Sequence, residues 1–383
     1  MRIAAARIYA LRIPFAEAFR HSAQERAFSD SIVVRLTAAD GTVGYGEGVA
    51  RPYVTGETVE TSIAHIVKHL WPSIAQSDYA ELYTGPDPVA ALAPIEATLP
   101  EHEGRGVVAW HAARAAVELA LVDCLLRRQQ LSLARLLPPR RESVIYSGVI
   151  GAGTIQRAVQ HARYFKLFGI RQVKIKLDGR ADCERLAAIR RTLGAEASLR
   201  IDANGAYDVE RAITALNCLD QFNLEAVEQP IPRHSVRDLA KVRAATRIPI
   251  MADESLVTLD DARALIDSRA CDFFNLRISK CGGLSRTLRM ARLAQSAGLR
   301  LQLGSHVGET AILSAAGRHL AAHLEGPAFV EGSYGNLLLS EDISRDNVAF
   351  GHGGRAALLK GPGLGIEIRE ETLQRYAHEV ITL

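Results

Sequence analysis

The sequence predicts an α/β fold: a modified TIM (β/α) barrel with an N-terminal α+β capping domain. From about residue 143 of 383, short apolar runs typical of strands alternate strictly with helical stretches, whereas before about residue 140 the strands precede the helices. Charged residues end successive strand runs at steps of 26, 26, 25 and 27 residues, from Lys176 to Asp202, Glu228, Asp253 and Lys280. We therefore expect the capping domain at 1–140 and the barrel at 141–344.

The N-terminal region is predicted to begin as a meander of strands over about residues 1–60. The run SIVVRLTAADGTVGYGEG is typical of two strands joined at the turn Ala-Asp-Gly-Thr, which indicates a hairpin. Helical periodicity follows at 57–75 and at 107–127, where apolar residues recur at steps of three and four and form one apolar face.

The barrel region contains eight candidate strands, enough for eight βα units. They lie at 143–151, 172–177, 199–204, 226–230, 249–255, 273–280, 300–306 and 329–333. In a closed barrel the carboxyl ends of all strands meet at one mouth, so their terminal polar residues should converge. A doubly wound sheet is the competing architecture, but near-even units with polar strand ends favour the closed ring.

Composition excludes several classes of function. The formal net charge is only +3, and no run of five or six basic residues is present, so we expect no nucleic-acid partner. We also expect no membrane association, because no stretch of ~18 uncharged apolar residues occurs. The five cysteines are scattered without CxxC spacing, which favours reduced thiols in a cytoplasmic protein.

Three carboxylates at successive strand ends predict a metal site. Asp202, Glu228 and Asp253 would form an all-oxygen ligand set, which suits Mg²⁺ and also Mn²⁺, whereas zinc favours histidine or cysteine. Any one of them alone could be a helix cap or a surface residue; the matched spacing of all three is the signal. Asn204 faces the same side as Asp202 and is either a supporting donor or a turn residue.

Three lysines predict proton transfer beside that metal. Lys174 and Lys176 share one strand face, and Lys280 lies four strands away, so one base could stand on each face of a planar intermediate. A divalent cation on a substrate carboxylate would stabilise the charge left when the α-proton is removed. Proton return on the other face gives racemisation or epimerisation, and loss of a β-group gives elimination. The reverse of that elimination gives lactone formation.

The ordered motifs of this chain resemble the enolase superfamily, and within it the mandelate racemase/muconate lactonizing enzyme family and its muconate-lactonizing-enzyme-like subgroup. The matching segments are KIK (174–176), DANGA (202–206), EQP (228–230), ADES (252–255), ISKCGG (278–283), and in the cap GYGE (44–47) and RPYVTGET (51–58). The resemblance implies a modified barrel under a capping domain that residues about 345–383 complete. It also implies Mg²⁺ on the three carboxylates, Lys176 and Lys280 as opposed acid and base, and Lys174 assisting the substrate carboxylate. It also makes a homo-oligomer plausible.

Several further residues are candidates for the substrate pocket. His306 ends the seventh strand run and Glu309 follows it, and Arg20, Arg51 and Tyr53 lie in segments that resemble mobile cap loops. At the eighth strand, dipeptide epimerases of the family share an Asp-x-Asp pair that holds a substrate ammonium. This chain has Glu331-Gly-Ser333 instead, which argues against a dipeptide substrate.

The function predicted from these residues is a Mg²⁺-dependent isomerase acting on a small-molecule carboxylate by way of a metal-stabilised enolate. Cycloisomerisation and racemisation or epimerisation both stay open. The alternatives are a lyase on the same scaffold, of the succinylbenzoate or hydroxy-acid dehydratase type, a Schiff-base aldolase that uses a barrel lysine, and a catalytically silent binding barrel.

Overall fold

The computed structural model describes residues 1–20, 25–82, 85–233 and 235–383; the side chains of 17–20, 25 and 26 are not described. Arg20, predicted for the pocket, therefore has its side chain outside the described part. The N-terminal region begins with antiparallel strands β1 (Ile3–Arg20), β2 (Glu25–Ala38) and β3 (Val43–Gly48). The predicted hairpin between β2 and β3 is confirmed, and the Thr42 amide donates to Asp40 Oδ1 at 3.0 Å in its turn.

The helices of this region are α1 (Val59–His65), α2 (Trp71–Gln76), α3 (Pro88–Ala97), α4 (His111–Arg128) and α5 (Leu133–Leu136), and a π-helical turn joins α1 to α2. Both predicted helical stretches are confirmed. α4 lies directly on β3, because Gly44, Gly46 and Gly48 present no side chain there. A Cβ at Gly46 would lie 2.0 Å from the Ala116 carbonyl oxygen.

The barrel region alternates strands and helices. In chain order they are β4 (Ser143–Ile145), β5 (Gly148–Ile150), α6 (Ile155–Leu167), β6 (Gln172–Lys176), α7 (Asp182–Leu193), β7 (Ser198–Asp202), α8 (Val209–Leu219), β8 (Leu224–Glu228), α9 (Val236–Ala245), β9 (Ile250–Ala252), α10 (Leu259–Asp267), β10 (Phe273–Leu276), α11 (Ile278–Cys281), α12 (Leu284–Ser296), β11 (Arg300–Leu303), α13 (Ala311–His323) and β12 (Phe329–Val330).

Strands β5 to β12 form one eight-stranded parallel sheet in chain order. The Ser147 amide donates to the Val330 carbonyl at 2.8 Å and links the two edges of the curled sheet. Lys176, Asp202 and Glu228 are lateral neighbours across β6, β7 and β8. The register therefore places the predicted site residues side by side at the carboxyl ends of the strands.

The structure differs from the expected barrel in three places. The run 143–151 divides: β4 leaves the barrel to pair with β13 (Arg355–Ala357), and only β5 enters the sheet. The run 273–280 ends as a strand at Leu276, because a single helical turn, α11, follows. In the described residues after β12, only short 3₁₀ turns occur where an eighth barrel helix was expected.

The end of the chain returns to the N-terminal sheet. After α14 (Glu370–Tyr376), strand β14 (Ala377–Thr382) pairs antiparallel with β1 and completes the sheet order β14-β1-β2-β3. Buried carboxylates also join the cap to the barrel: Glu47 on β3 accepts from the Thr310 amide before α13, and Glu118 on α4 accepts from the first amides of α12. None of the described helices is both long and apolar enough to cross a bilayer.

Candidate active site

A cavity of about 820 Å³ lies over the carboxyl ends of the barrel strands. The cap contributes Arg51 and Tyr53 to its wall, and the barrel contributes Lys174, Lys176 and Arg277 among others. Parallel strands of a barrel direct their carboxyl ends to one mouth, which is where the sites of such folds are built. Of the charged residues predicted to converge at this mouth, Lys174 and Lys176 line the cavity, and Lys280 does not.

The three predicted metal-ligating carboxylates are buried at adjacent strand ends. Asp202 and Glu228 end β7 and β8, and Asp253 directly follows β9. Lys174 Nζ lies between the first two, 3.4 Å from Asp202 Oδ2 and 3.3 Å from Glu228 Oε2. Arg277 bridges the second and third, with Nη2 3.1 Å from Glu228 Oε1 and in contact with Asp253.

These cations set the charge state of the central carboxylate. Burial alone would raise the pKa of Glu228, but Lys174 and Arg277 outweigh that effect and hold it well below its usual range. Because the cations lie between the carboxylates, no three acidic, histidine or cysteine side chains of the described residues meet at one ion position in this arrangement. A metal would have to replace these cationic contacts.

The donor set nevertheless suits a hard divalent cation. Asp202, Glu228 and Asp253 offer only oxygen, as Mg²⁺ and Mn²⁺ prefer. Beside them, Glu254 is buried, and its Oε2 has no hydrogen-bond partner among the described residues, while its Oε1 accepts from Asn204. An unpaired carboxylate oxygen at this depth is costly without a cation or proton nearby. The residues present therefore fit the ion.

Lys174 and Lys176 project from one face of β6, as predicted, but their surroundings differ. Lys174 Nζ is 2.8 Å from Glu331 Oε2; burial would lower the pKa of Lys174, yet Glu228, Glu331 and Asp202 raise it above its ordinary value. Lys176 Nζ donates to Asp202 Oδ2 at 2.5 Å and to Asn204 Oδ1 at 2.8 Å. Three carboxylates thus hold Lys174 as a cation, whereas Lys176, which also lines the cavity, contacts Asp202 and the neutral side chain of Asn204.

The structure does not bring Lys280 to the cavity wall. Lys280 lies on α11 and is 1% exposed, and its Nζ donates to Asp253 Oδ1 at 2.8 Å, to the Asp253 carbonyl at 2.7 Å and to the Asn275 carbonyl at 2.7 Å. Three protein acceptors use all three ammonium hydrogens. In the described part of the chain, the basic residue from this segment that lines the cavity is Arg277.

Sequence reasoning missed Arg277 because it read LRISK as a continuing strand. A strand face alternates with period two, so Asn275 and Arg277 share a face, and both donate to Glu228 Oε1. The helical turn of α11 then points Lys280 elsewhere. The two-residue step from Asn275 to Arg277 was the signal in the sequence that could have identified Arg277, but sequence reasoning did not use it.

Glu331 is neutralised from two sides. It follows β12, and its Oε1 accepts from Arg200 Nη2 at 2.6 Å while its Oε2 accepts from Lys174. Arg200, which sequence reasoning also missed, is fully buried on β7 and stacks over the Phe329 ring. Burial would raise the pKa of Glu331, but Lys174 and Arg200 lower it on balance. Both carboxylate oxygens are therefore committed to protein cations.

The other predicted pocket residues lie around the same cavity. His306 follows β11, and its Nδ1 is 3.8 Å from Glu309 Oε1, which also accepts from the His306 amide at 2.6 Å. Burial raises the pKa of Glu309 to about 8. Arg51 donates to the Val307 carbonyl at 2.8 Å and so joins a cap loop to the loop after β11, and Tyr53 lines the rim, half exposed.

A barrel that carries carboxylates and lysines at its strand ends, covered by an α+β cap, defines a class of enzymes that act on carboxylate substrates with the help of a metal ion. Two family models match: "Mandelate racemase / muconate lactonizing enzyme, N-terminal domain" over residues 4–138 and "Enolase C-terminal domain-like" over 156–372. The chain belongs to the mandelate racemase/muconate lactonizing enzyme family of the enolase superfamily, as the sequence motifs predicted.

Similar proteins carry related activities. The chain is 30% identical to N-succinyl-L-Arg/Lys racemase of Bacillus cereus, over 98% of this chain and 97% of that one. It is 29% identical to muconate cycloisomerase 1 of Rhodococcus opacus, over 96% of each. The crystal structure of a Cytophaga hutchinsonii dipeptide epimerase with Mg and D-Ala-L-Val covers 100% of each chain at 27% identity and a TM-score of 0.87. The chain is accordingly an isomerase of the muconate cycloisomerase/racemase type, in a family whose enzymes use Mg²⁺.

Proposed function

We propose that this isomerase uses Lys176 as its base to remove the α-proton of a carboxylate substrate and that the outcome is cycloisomerisation. The observation that carries the proposal is the identity of the basic side chains that line the cavity at the ends of β6 and β10. Lys176 stands at the end of β6, and Arg277, not a second lysine, follows β10 four strands away.

Asp202, Glu228 and Asp253 are the residues that would hold Mg²⁺, or Mn²⁺ in its place. When bound, the cation supplies positive charge beside the substrate carboxylate and makes the adjacent C–H more acidic. Lys174 adds a fixed positive charge next to these carboxylates, held by Glu331 at 2.8 Å. Lys176 then accepts the proton, and Asn204 orients its ammonium group once it is protonated.

Arg277 limits the chemistry available on the other side of the substrate. Burial would lower the pKa of Arg277, but Asp253 and Glu228 raise it well above its ordinary value. A guanidinium group in this environment neither accepts nor returns a proton, although it can stabilise negative charge. Ring closure and opening need one base only, whereas inversion needs a second base on the opposite face.

The charges around the cavity favour a substrate without a free ammonium group. Glu331, the acidic residue at the eighth strand, is already paired with Lys174 and Arg200, and Ser333 donates to the Val348 carbonyl and accepts from Arg318. An ammonium group placed there would have to displace a protein cation. An unsaturated dicarboxylate of the muconate kind, or its lactone, satisfies this requirement.

A second candidate is racemisation of an N-acylated amino acid, and His306 is the observation that favours it. His306 follows β11, the strand beside β10, lines the cavity and faces Glu309. Imidazole is the side chain best suited to exchange protons near neutral pH. In this alternative Lys176 and His306 serve opposite faces, and an acyl group removes the substrate's ammonium charge.

Proton NMR in D₂O with Mg²⁺ tests the proposal on muconate, its lactone, N-succinyl amino acids and unblocked dipeptides. We expect lactone opening or closure with deuterium at the α-carbon and no inversion of any amino acid. Inversion of an N-succinyl amino acid that His306→Asn abolishes would establish the second candidate and contradict the first. Loss of water from a hydroxy acid included in the same assay would instead mean the lyase.

A further inference from the structure

Two cysteines on the outer wall of the barrel lie in contact. Cys183, in the first turn of α7, and Cys218, near the end of α8, have their sulfur atoms 3.4 Å apart. We propose that this pair is an oxidisable dithiol, a modification site at which a reversible disulfide joins α7 to α8. The inference does not depend on the proposed function.

Solvent exposure distinguishes these two thiols from the other three. Cys218 is exposed and Cys183 partly buried, whereas Cys124, Cys271 and Cys281 are buried. A disulfide bond is about 2.05 Å long, so the sulfur atoms must approach by roughly 1.3 Å, a movement within reach of small side-chain rotations. Since the two residues are 35 positions apart, the cross-link closes a loop that contains β7.

The oxidation needs a small disulfide as co-reactant, such as glutathione disulfide. The thiolate of Cys218 attacks it, forms a mixed disulfide and releases one small thiolate. The thiolate of Cys183 then attacks the Cys218 sulfur and displaces the second. Two protein S–H groups are lost, one S–S bond forms, and the small disulfide is reduced to two thiols.

Thiolate availability sets the rate of the second step. In the reduced pair, burial, the adjacent Cys218 thiol, and the carboxylates of Glu184 and Asp182 raise the pKa of Cys183 to about 11. Burial and the two carboxylates still act once Cys218 forms the mixed disulfide. The thiolate, not the thiol, is the nucleophile, so closure is slow at neutral pH and faster in alkaline buffer. A slow reaction fits a thiol pair that stays reduced unless oxidant accumulates.

The pair adjoins the proposed active site without entering it. Asp182, next to Cys183, accepts hydrogen bonds from the Gly179 amide and the Tyr207 hydroxyl. Arg185, in the same turn, contacts Asp182 and donates to the Lys176 carbonyl at 3.1 Å. A cross-link at Cys183 therefore restrains the turn that supports the end of β6.

The test treats the reduced full-length protein with glutathione disulfide at alkaline pH. Free thiols are counted after denaturation, and intact mass and peptide mapping locate any cross-link. We expect the count to fall from five to three, the mass to fall by that of two hydrogen atoms, a peptide linking Cys183 to Cys218, and full reversal by dithiothreitol. Five remaining thiols, glutathione adducts without closure, or a different cross-link would each overturn the proposal.

Two serine variants provide the controls. Cys218→Ser and Cys183→Ser should each prevent the cross-link, and the remaining thiol should at most form a glutathione adduct. Phenylarsine oxide, whose arsenic bridges two neighbouring thiols, gives a second measurement that requires no oxidation. We expect one equivalent bound by the wild type and none by either variant; equal binding by all three proteins would contradict the contact.

Discussion

Arg277 is the residue that most restricts the reaction. Replacing it by lysine puts a titratable amine at the same wall, so Arg277→Lys should permit proton return on the second face and produce inverted product. Arg277→Met removes the positive charge and should lower turnover by roughly 10²-fold, the usual effect of losing one electrostatic stabiliser. Chiral analysis of the product after reaction in D₂O measures the inversion, and initial rates measure the loss of turnover. Inversion by the wild type with no change in Arg277→Lys would contradict this role.

Lys280 is predicted to stabilise the fold and not to transfer protons. Lys280→Met removes the ammonium group from Asp253 Oδ1 and from the Asp253 and Asn275 carbonyls, and leaves Arg277 as the cation in contact with Asp253. Breaking a buried ion pair typically costs about 3–5 kcal/mol. Urea unfolding should show that loss. Lys241→Met is the matched control, since the Lys241 side chain is 67% exposed and pairs on the surface with Asp238. Unchanged stability together with lost turnover would return Lys280 to the catalytic role first predicted for it.

At the residue scale, spacing predicted the groups that end strands. Lys174, Lys176, Asp202 and Glu228 are terminal or near-terminal residues of β6, β7 and β8, so a period of strand plus helix was enough to bring them together. Partners inside the barrel could not be predicted the same way. Arg200 meets Glu331 only because the sheet curls and brings β7 toward β12, and that contact leaves no local pattern in the sequence.

At the level of elements, buried carboxylates accept hydrogen bonds from backbone amides at the beginning of barrel helices. Glu118 on α4 accepts from the Ser285 amide at 3.3 Å and from the Leu284 amide in the first turn of α12. Burial raises the pKa of Glu118 from 4.5 to about 7. In the folded state the group keeps its proton to higher pH than in the unfolded state. Its contribution to stability is therefore complete below about pH 4.5 and is lost as the pH rises through about 7.

Comparison of wild type with Glu118→Gln tests that pH dependence. The glutamine does not titrate. The unfolding free energy of the wild type minus that of Glu118→Gln should therefore be larger at pH 5 than at pH 8. Urea unfolding at both values measures it, with Glu379→Gln, a change at an exposed position of β14, as the control. A difference that is the same at both pH values would contradict the raised pKa.

The elements themselves were largely predictable, and their exceptions have local causes. Periodicity identified the cap hairpin, α4 and all eight parallel strands. It could not reveal that residues 143–145 pair with 355–357, because that contact joins segments far apart in the chain. Nor could it show that the chain after β12 returns to the cap through α14 and β14 in place of an eighth barrel helix.

For the whole molecule, assembly stays a prediction. The family resemblance favours a homo-oligomer, and the structure describes one chain. Light scattering coupled to size-exclusion chromatography should give a mass that is a multiple of the chain mass and independent of dilution over the working range. A single chain mass at all concentrations would refute it. The division at about residue 140 is likewise a prediction, for which limited proteolysis is the direct probe.

The central claim is that Lys176 removes the α-proton of a carboxylate held at the Asp202, Glu228 and Asp253 cluster. The most direct measurement is the rate of deuterium incorporation at the α-carbon of a turned-over substrate, in wild type and in Lys176→Ala, with Mg²⁺ present. Loss of a positioned base should slow exchange by ~10²–10⁴-fold, while thermal unfolding still reports a folded protein. Exchange in Lys176→Ala at the wild-type rate would contradict the claim.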